Sequence, residues 1–281
     1  EGADSSAMTR SIPLEKALDD CLIAFKMNGE SLRPEQGYPV RLVVPGWEGN
    51  MWIKWIRRIE VGDKPWHHRE ETSKYTDLLK DGNSRRFTWE MDAKSVITNP
   101  SPQAPILHGP GPMVITGVAW SGRGRIAGVD VSTDGGINWK AARLNGPADT
   151  KSMHRFYFEF DWRGQPLLLQ SRAQDDTGYI QPTKDQLRSV RGENSIYHNN
   201  GIQTWAVDKD GTTENVMVDN NSDYICPGHC SVSHAHTVSM CEGDCEYDFN
   251  QITINKNINN NSSGLFRGQE IKSIELIDNI K

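Results

Sequence analysis

The chain has 281 residues, with 31 Lys and Arg against 37 Asp and Glu and a formal net charge of −6. That balance excludes the broad basic face of a general nucleic-acid binder and leaves any anion site to be local, while the length suits two ordinary domains. No apolar run approaches the ~20 residues needed to cross a bilayer and EGADSSAMTR carries no signal-peptide pattern, so the chain reads as soluble, with the abrupt start of a fragment.

In chain order, residues 13–27 carry apolar side chains at helical spacing, with Ser11 as N-cap and Asn28-Gly29 as the stop. Cys21 falls on that stripe and reads as a small buried hydrophobe. Two β-branched runs, 38–44 and 53–61, read as strands separated by Pro45-Gly46 and Gly49-Asn50. Residues 62–83 are polar and form an expected long surface loop, a kind of segment that is often functional. Pro and Gly cluster in NPSPQAPILHGPGP, residues 99–112, the best candidate linker.

The character then becomes all-β. Residues 113–120, 126–132, 137–144, 155–162 and 166–172 are strand-length runs, and Thr133-Asp134-Gly135-Gly136 is a hairpin signature because Asp-Gly suits positive φ. Short strands at this spacing predict an immunoglobulin-like β-sandwich. From residue 218 the composition shifts to Asn, Ser, Cys and His. The expected division is 1–100, an α+β cofactor unit; 101–217, the sandwich, which makes the protein mostly β; and 218–281, an atypical tail.

Two groups of residues suggest chemistry. Arg41, after Gly37-Tyr38-Pro39, and Lys54, with Arg57 and Arg58 beyond it, suit a phosphate through charge-assisted hydrogen bonds, though from the residues alone solvated surface charge is the commoner explanation. In the tail, Cys226, Cys230, Cys241 and Cys245, with His234 and His236 between them, fall at spacings that fit structural zinc. Disulfides in an oxidising compartment, or an aberrant C terminus, explain the same residues. No Cys-x-x-Cys-His haem attachment motif occurs.

The motifs EGAD, SIPL, MNGE, EQGYPVRLVVPGWEGN, IKWIRRIEV, MDAKSVITNPS, GVAWSGRGRI, VDVSTDGGINW and QSRAQDDTGYIQP follow one another collinearly. In that order they resemble the sulfite oxidase family of molybdopterin oxidoreductases, from the later part of its cofactor domain into its immunoglobulin-like dimerisation domain. Within that family GDKPWHHREETSKYTD looks nearest to the sulfane dehydrogenase branch of the bacterial Sox system.

The resemblance implies an enzyme that oxidises sulfite or protein-bound sulfane sulfur on a molybdenum-molybdopterin cofactor. It implies cofactor contacts from Asp4, Gln36, Arg41, Trp52, Ile53 and Lys54, with Gln36 standing where the wider family has histidine. Tyr75 matches the tyrosine that faces the metal, and Arg191 the arginine sent into the substrate pocket. It also implies a cytochrome c acceptor, a sulfur-carrier partner in the sulfane branch, homodimerisation through the β domain, and a periplasmic location. The family's molybdenum-ligating cysteine precedes EGAD, so the chain is expected to lack that ligand and to be inactive alone. The rival reading is a non-catalytic dimerisation or binding module with a relic cofactor unit. It predicts that Arg41, Lys54, Tyr75 and Arg191 scatter, where the enzyme predicts one basic cleft.

Overall fold

The computed structural model describes residues 8–72, 75–79, 81–86, 89–192 and 197–218. The first unit comprises α1 (Leu14–Asp19), β1 (Leu22–Ala24), β2 (Lys26–Met27), β3 (Glu30–Ser31), β4 (Arg41–Val43), α2 (Arg69–Thr72), β5 (Thr76–Leu78) and β6 (Ser84–Arg86). These strands form two-stranded sheets, β1 with β4, β2 with β3 and β5 with β6. A small core of Val44, Trp47 and Met51, with Ile12, Cys21, Leu42, Trp52 and Trp89 packed on it, holds the unit together.

Two expectations are corrected here. The helix expected over 13–27 runs only from Leu14 to Asp19, has Pro13 rather than Ser11 at its N-cap with no side-chain cap, and gives way to β1, whose Leu22, Ile23 and Ala24 pair with Val43, Leu42 and Arg41. The helical apolar spacing has no core to face: Leu14 is 55% and Leu18 77% exposed, so local strand pairing decides the conformation instead. The strand over 53–61 is likewise absent. Ile53 and Val40 accept from Leu42 N and Ile56 N, but Trp55 takes a left-handed φ of 52° that breaks the extended path, and Ile59 and Val61 are exposed.

The second unit is a two-layer sandwich. Its strands are β7 (Lys94–Asn99), β8 (Gly111–Trp120), β9 (Ile126–Ser132), β10 (Lys140–Ala141), β11 (Arg143–Leu144), β12 (Met153–Trp162), β13 (Leu167–Asp175), β14 (Thr204–Val207) and β15 (Thr213–Val216), with α3 (Lys184–Arg191) between β13 and β14. One sheet runs β10-β9-β13-β14-β15 and the other β11-β12-β8-β7. Alternation sets the layers: Met113, Ile115 and Ala119 of β8 are buried while Val114 between them is half exposed. They meet Val129, Val131, Phe156, Trp162, Leu167, Leu169 and Val207 in one core. The strand β7 lies on the N-terminal side of the expected boundary at 100/101, yet it is hydrogen-bonded to β8 as part of the sandwich.

A buried polar staple ties the sheets. Gln181 Oε1 accepts from Ser95 N at 2.8 Å, Ser95 Oγ at 2.8 Å and Ala173 N at 3.1 Å. An amide carbonyl removed from water so completely needs such partners.

The units touch through backbone and charge. Met91 N donates to Gly46 O and Gly122 N to Met91 O, while Asp20 pairs at 2.5 Å with both Lys16 and Lys151 of the sandwich. Trp47 and Trp89 stack with centroids 4.8 Å apart, 9° from parallel. No helix among the described residues is long and apolar enough to cross a membrane.

Candidate functional site

Gly37 ends a 3-10 turn at Pro34–Gln36 with φ +109°, a conformation open to glycine. Its absent side chain matters further: a Cβ there would lie 2.9 Å from Lys54 Cβ and 3.2 Å from Arg41 Cβ. The glycine therefore lets the two cations sit side by side, and their backbones form a β-bridge.

Arg41 donates from Nη1 to Gln36 O at 3.1 Å and from Nη2 to Trp52 O at a long 3.4 Å, with its guanidinium 5.7 Å from the Trp52 ring. Lys54 Nζ donates to Glu35 O at 2.7 Å. Neither cation meets a carboxylate among the described residues, and Arg41 Nε is buried without a hydrogen-bond partner. Two adjacent cations satisfied only by neutral carbonyls, one with an orphaned donor, are suited to a phosphate or similar anion.

Of the other expected cofactor residues, Gln36 spends its side-chain carbonyl on Arg33 N, 3.0 Å away, capping its own turn and leaving the amide nitrogen as the donor. Trp52 anchors its indole on Trp47 O at 3.1 Å, and Ile53 O accepts from Leu42 N at 2.8 Å, so both brace the pair. Asp4 and the tail cysteines lie outside the described residues. Cys21 is half-buried against the Trp47 core, and burial pushes its thiol pKa up.

Arg191 stands in a second cluster. Thr183 caps α3 by accepting from Gln186 N, and the Gln186 side chain returns the bond to Thr183 N. The helix ends at Gly192, φ +86°, where a Cβ would lie 2.1 Å from Leu78 O. That close approach seats the last turn of α3 against β5. Arg191 Nη1 then reaches Asp77 Oδ2 at 3.0 Å and Nη2 reaches Asp92 Oδ2 at 3.3 Å, with all three side chains buried.

Asp92 also takes Arg123 at 2.8 Å and His198 Nε2 at 2.9 Å, and His198 Nδ1 meets Glu48 Oε1 at 2.8 Å. A continuous line of polar contacts thus runs from Glu48, beside the Trp47 core, to Asp77 on β5.

Burial acts against charge on both central groups, and the contacts overcome it. Desolvation raises the Asp92 pKa, but the His198 hydrogen bond and the positive charges of His198, Arg123 and Arg191 bring it down to about 2. Desolvation lowers that of His198, but hydrogen bonds to Asp92 and Glu48 leave it raised. Tyr179, buried near the negative Asp92 and hydrogen-bonded by Asn200, is pushed well above the usual phenol value.

A pH dependence follows. The His198 contribution is complete below its unfolded pKa of about 6.5 and is lost as pH rises through its higher folded value. The Asp92 contribution is present above about 4 and is lost as pH falls through about 2. The melting temperature is therefore expected to decline above neutrality, and His198→Gln to abolish that alkaline decline. Parallel pH curves for the two proteins would refute the assignment.

Tyr75 lies two residues before Asp77, its ring 4.7 Å from Tyr197, the neighbour of His198. The guanidinium of Arg10 covers the other partner position, 5.2 Å from the Tyr75 centroid. The four residues expected to converge thus fall in two groups, Arg41 with Lys54 and Tyr75 near Arg191. Trp52, Trp47, Glu48, His198 and Asp92 run between the groups. Sequence reading missed Arg10, Glu48, Asp77, Asp92, Arg123 and His198; the only signal for Asp92 is its place inside MDAKSVITNPS.

Comparisons with known proteins follow the same two units. The family model described as an oxidoreductase molybdopterin binding domain matches residues 1–70, and the one described as a Mo-co oxidoreductase dimerisation domain matches residues 85–205. Sulfite oxidase of Gallus gallus is 38% identical over 147 residues, covering 48% of this chain and 32% of that protein. Mitochondrial sulfite oxidase of Homo sapiens is 36% identical over 161 residues, 52% of this chain and 29% of that one.

The crystal structure of the sulfane dehydrogenase SoxCD from Paracoccus pantotrophus superposes with a TM-score of 0.75 at 63% identity. It covers 78% of this chain and 56% of that chain. The chain spans about a third of the length of these two curated relatives.

Proposed function

Because the chain belongs to the sulfite oxidase family of molybdopterin oxidoreductases, we propose that it serves an enzyme that oxidises sulfite or protein-bound sulfane sulfur and passes the electrons to a cytochrome c. The observation that carries this reading is the Arg41–Lys54 pair, held together over Gly37 without a counter-carboxylate and with Arg41 Nε buried and unpartnered. It speaks against a relic cofactor unit, in which nothing would keep an unpartnered guanidinium nitrogen buried.

When bound, the molybdenum cofactor supplies two-electron redox chemistry at sulfur. Arg41 and Lys54 would hold its phosphate end, Gln36, Trp52 and Ile53 would contact it beside that pair, and Asp4, which lies outside the described residues, is proposed as a further contact. Tyr75 holds or releases a proton at its hydroxyl oxygen. Arg191, oriented by Asp77 and Asp92, presents the pocket's fixed guanidinium. The metal's thiolate comes from polypeptide other than the described residues, since Cys21 faces the Trp47 core. In this reading the sandwich pairs two copies of the chain, the working location is the periplasm, and a sulfur-carrier protein delivers the sulfane form.

The test uses the protein expressed with whatever coding sequence precedes Glu1. Molybdenum and pterin should copurify, and cytochrome c should be reduced when sulfite or a persulfide-loaded carrier is added. Protein that binds no pterin and reduces no acceptor with either donor would end the reading.

A further inference from the structure

Arg10 has no role in the mechanism above, yet its surroundings lack what a half-buried arginine ordinarily has. Nη1 donates to the carbonyl of its own neighbour, Thr9, at 2.7 Å. Nε is buried without a partner, and so is the adjacent Thr9 Oγ1. No carboxylate meets the guanidinium among the described residues. Glu71, which bonds the residue next to Arg10, is taken up by Ser11 N at 2.5 Å, Ser11 Oγ at 3.4 Å and His68 N at 3.3 Å.

Orphaned polar atoms on two consecutive residues, one of them a cation, are costly to keep dry unless a ligand supplies their missing partner. The contrast with Arg191 is informative. Arg191, Arg123 and His198 face Asp77, Asp92 and Glu48, so three basic groups meet three carboxylates that fix Arg191 in place. Among the described residues no carboxylate compensates the charge of Arg10 beside the ring of Tyr75. The Tyr75–Tyr197 pair leads outward, because Tyr197 is 47% exposed.

We propose that Thr9 Oγ1 and the Arg10 guanidinium form an oxyanion subsite against Tyr75 that grips an inorganic sulfur oxyanion of sulfite's size. Planar N–H donors beside a hydroxyl match the oxygen edge of such an anion, and the aromatic face keeps the guanidinium from turning toward water. The inference rests on the proposed placement of Tyr75 in the substrate site and adds the residues that would select the substrate by charge.

The experiment separates this subsite from the redox reading. Equilibrium titration of the purified 281-residue protein with sulfite, followed by calorimetry, should give saturable binding that Arg10→Gln weakens at least tenfold. Arg10→Lys, which keeps the charge but loses Nε, should fall between, and Arg163→Gln, at an exposed residue of the sandwich, should bind as wild type. Circular dichroism of each variant checks the fold, and Arg10→Lys carries the test if Arg10→Gln is unfolded.

In the molybdenum-loaded enzyme Arg10→Lys should raise KM for sulfite with a smaller change in kcat. No sulfite binding by the wild type, or variants of Arg10 that bind equally well, would overturn the subsite. An enzyme inert toward every sulfur donor whose apo chain still shows Arg10-dependent binding would sink the redox reading and leave the subsite standing.

Discussion

Asp92→Asn is expected to destabilise the protein by about 3–5 kcal/mol, because removing one member of a buried ion network leaves its partners charged and unpaired. The substitution hardly changes volume, so packing is not the cause. Arg123, Arg191 and His198 all contact this one carboxylate, and Asp77 and Glu48 alone cannot satisfy them. At roughly 2–4 °C per kcal/mol for a chain of this size, the melting temperature should fall by about 10 °C.

The exposed pair Arg172–Asp130, at 2.9 Å, is the internal control. Asp130→Asn should cost no more than about 1 kcal/mol. Thermal unfolding of both variants side by side decides the matter, and an Asp92→Asn protein that melts with wild type would show that the network carries no stability.

Arg41→Ala is expected to weaken retention of the cofactor by about 100-fold, equivalent to roughly 2.7 kcal/mol, the scale for losing one partner of a hydrogen-bonded charge contact. The fold should persist, since Arg41 bonds only to carbonyls that water can reach once the side chain is gone. Gly37→Val should produce the same loss from the other direction. Its side chain would enter the space 2.9 Å from Lys54 Cβ and 3.2 Å from Arg41 Cβ, driving the cations apart, and φ +109° adds backbone strain.

Metal analysis and pterin fluorescence of the protein expressed with whatever coding sequence precedes Glu1 measure both effects. Full molybdenum and pterin content in Arg41→Ala would remove the pair from the cofactor's binding site.

The periodic parts of the chain were readable because neighbouring residues carry the information. Alternation along β8 and the Asp134-Gly135 turn specify strands whichever partner arrives, and the observed β9, Ile126–Ser132, has the expected bounds. The Arg41–Lys54 pair was also readable, since Gly37, Arg41 and Lys54 lie within eighteen positions and the turn between them is local. The stretch over 13–27 misled for the complementary reason: helical spacing states where an apolar face would be, and only the tertiary arrangement provides something for it to face.

By itself, then, the sequence determined the family resemblance, the sandwich and the nearness of Arg41 to Lys54, all of which depend on short-range pattern or on motif order. Only the tertiary structure could reveal that Glu48, Asp77, Asp92, Arg123, Arg191 and His198 form one charged line, with Glu48 and His198 bonded across 150 positions. Charge pairing between residues that far apart leaves no periodic trace, because a buried ion needs its partner in space and is indifferent to where the partner stands in the chain.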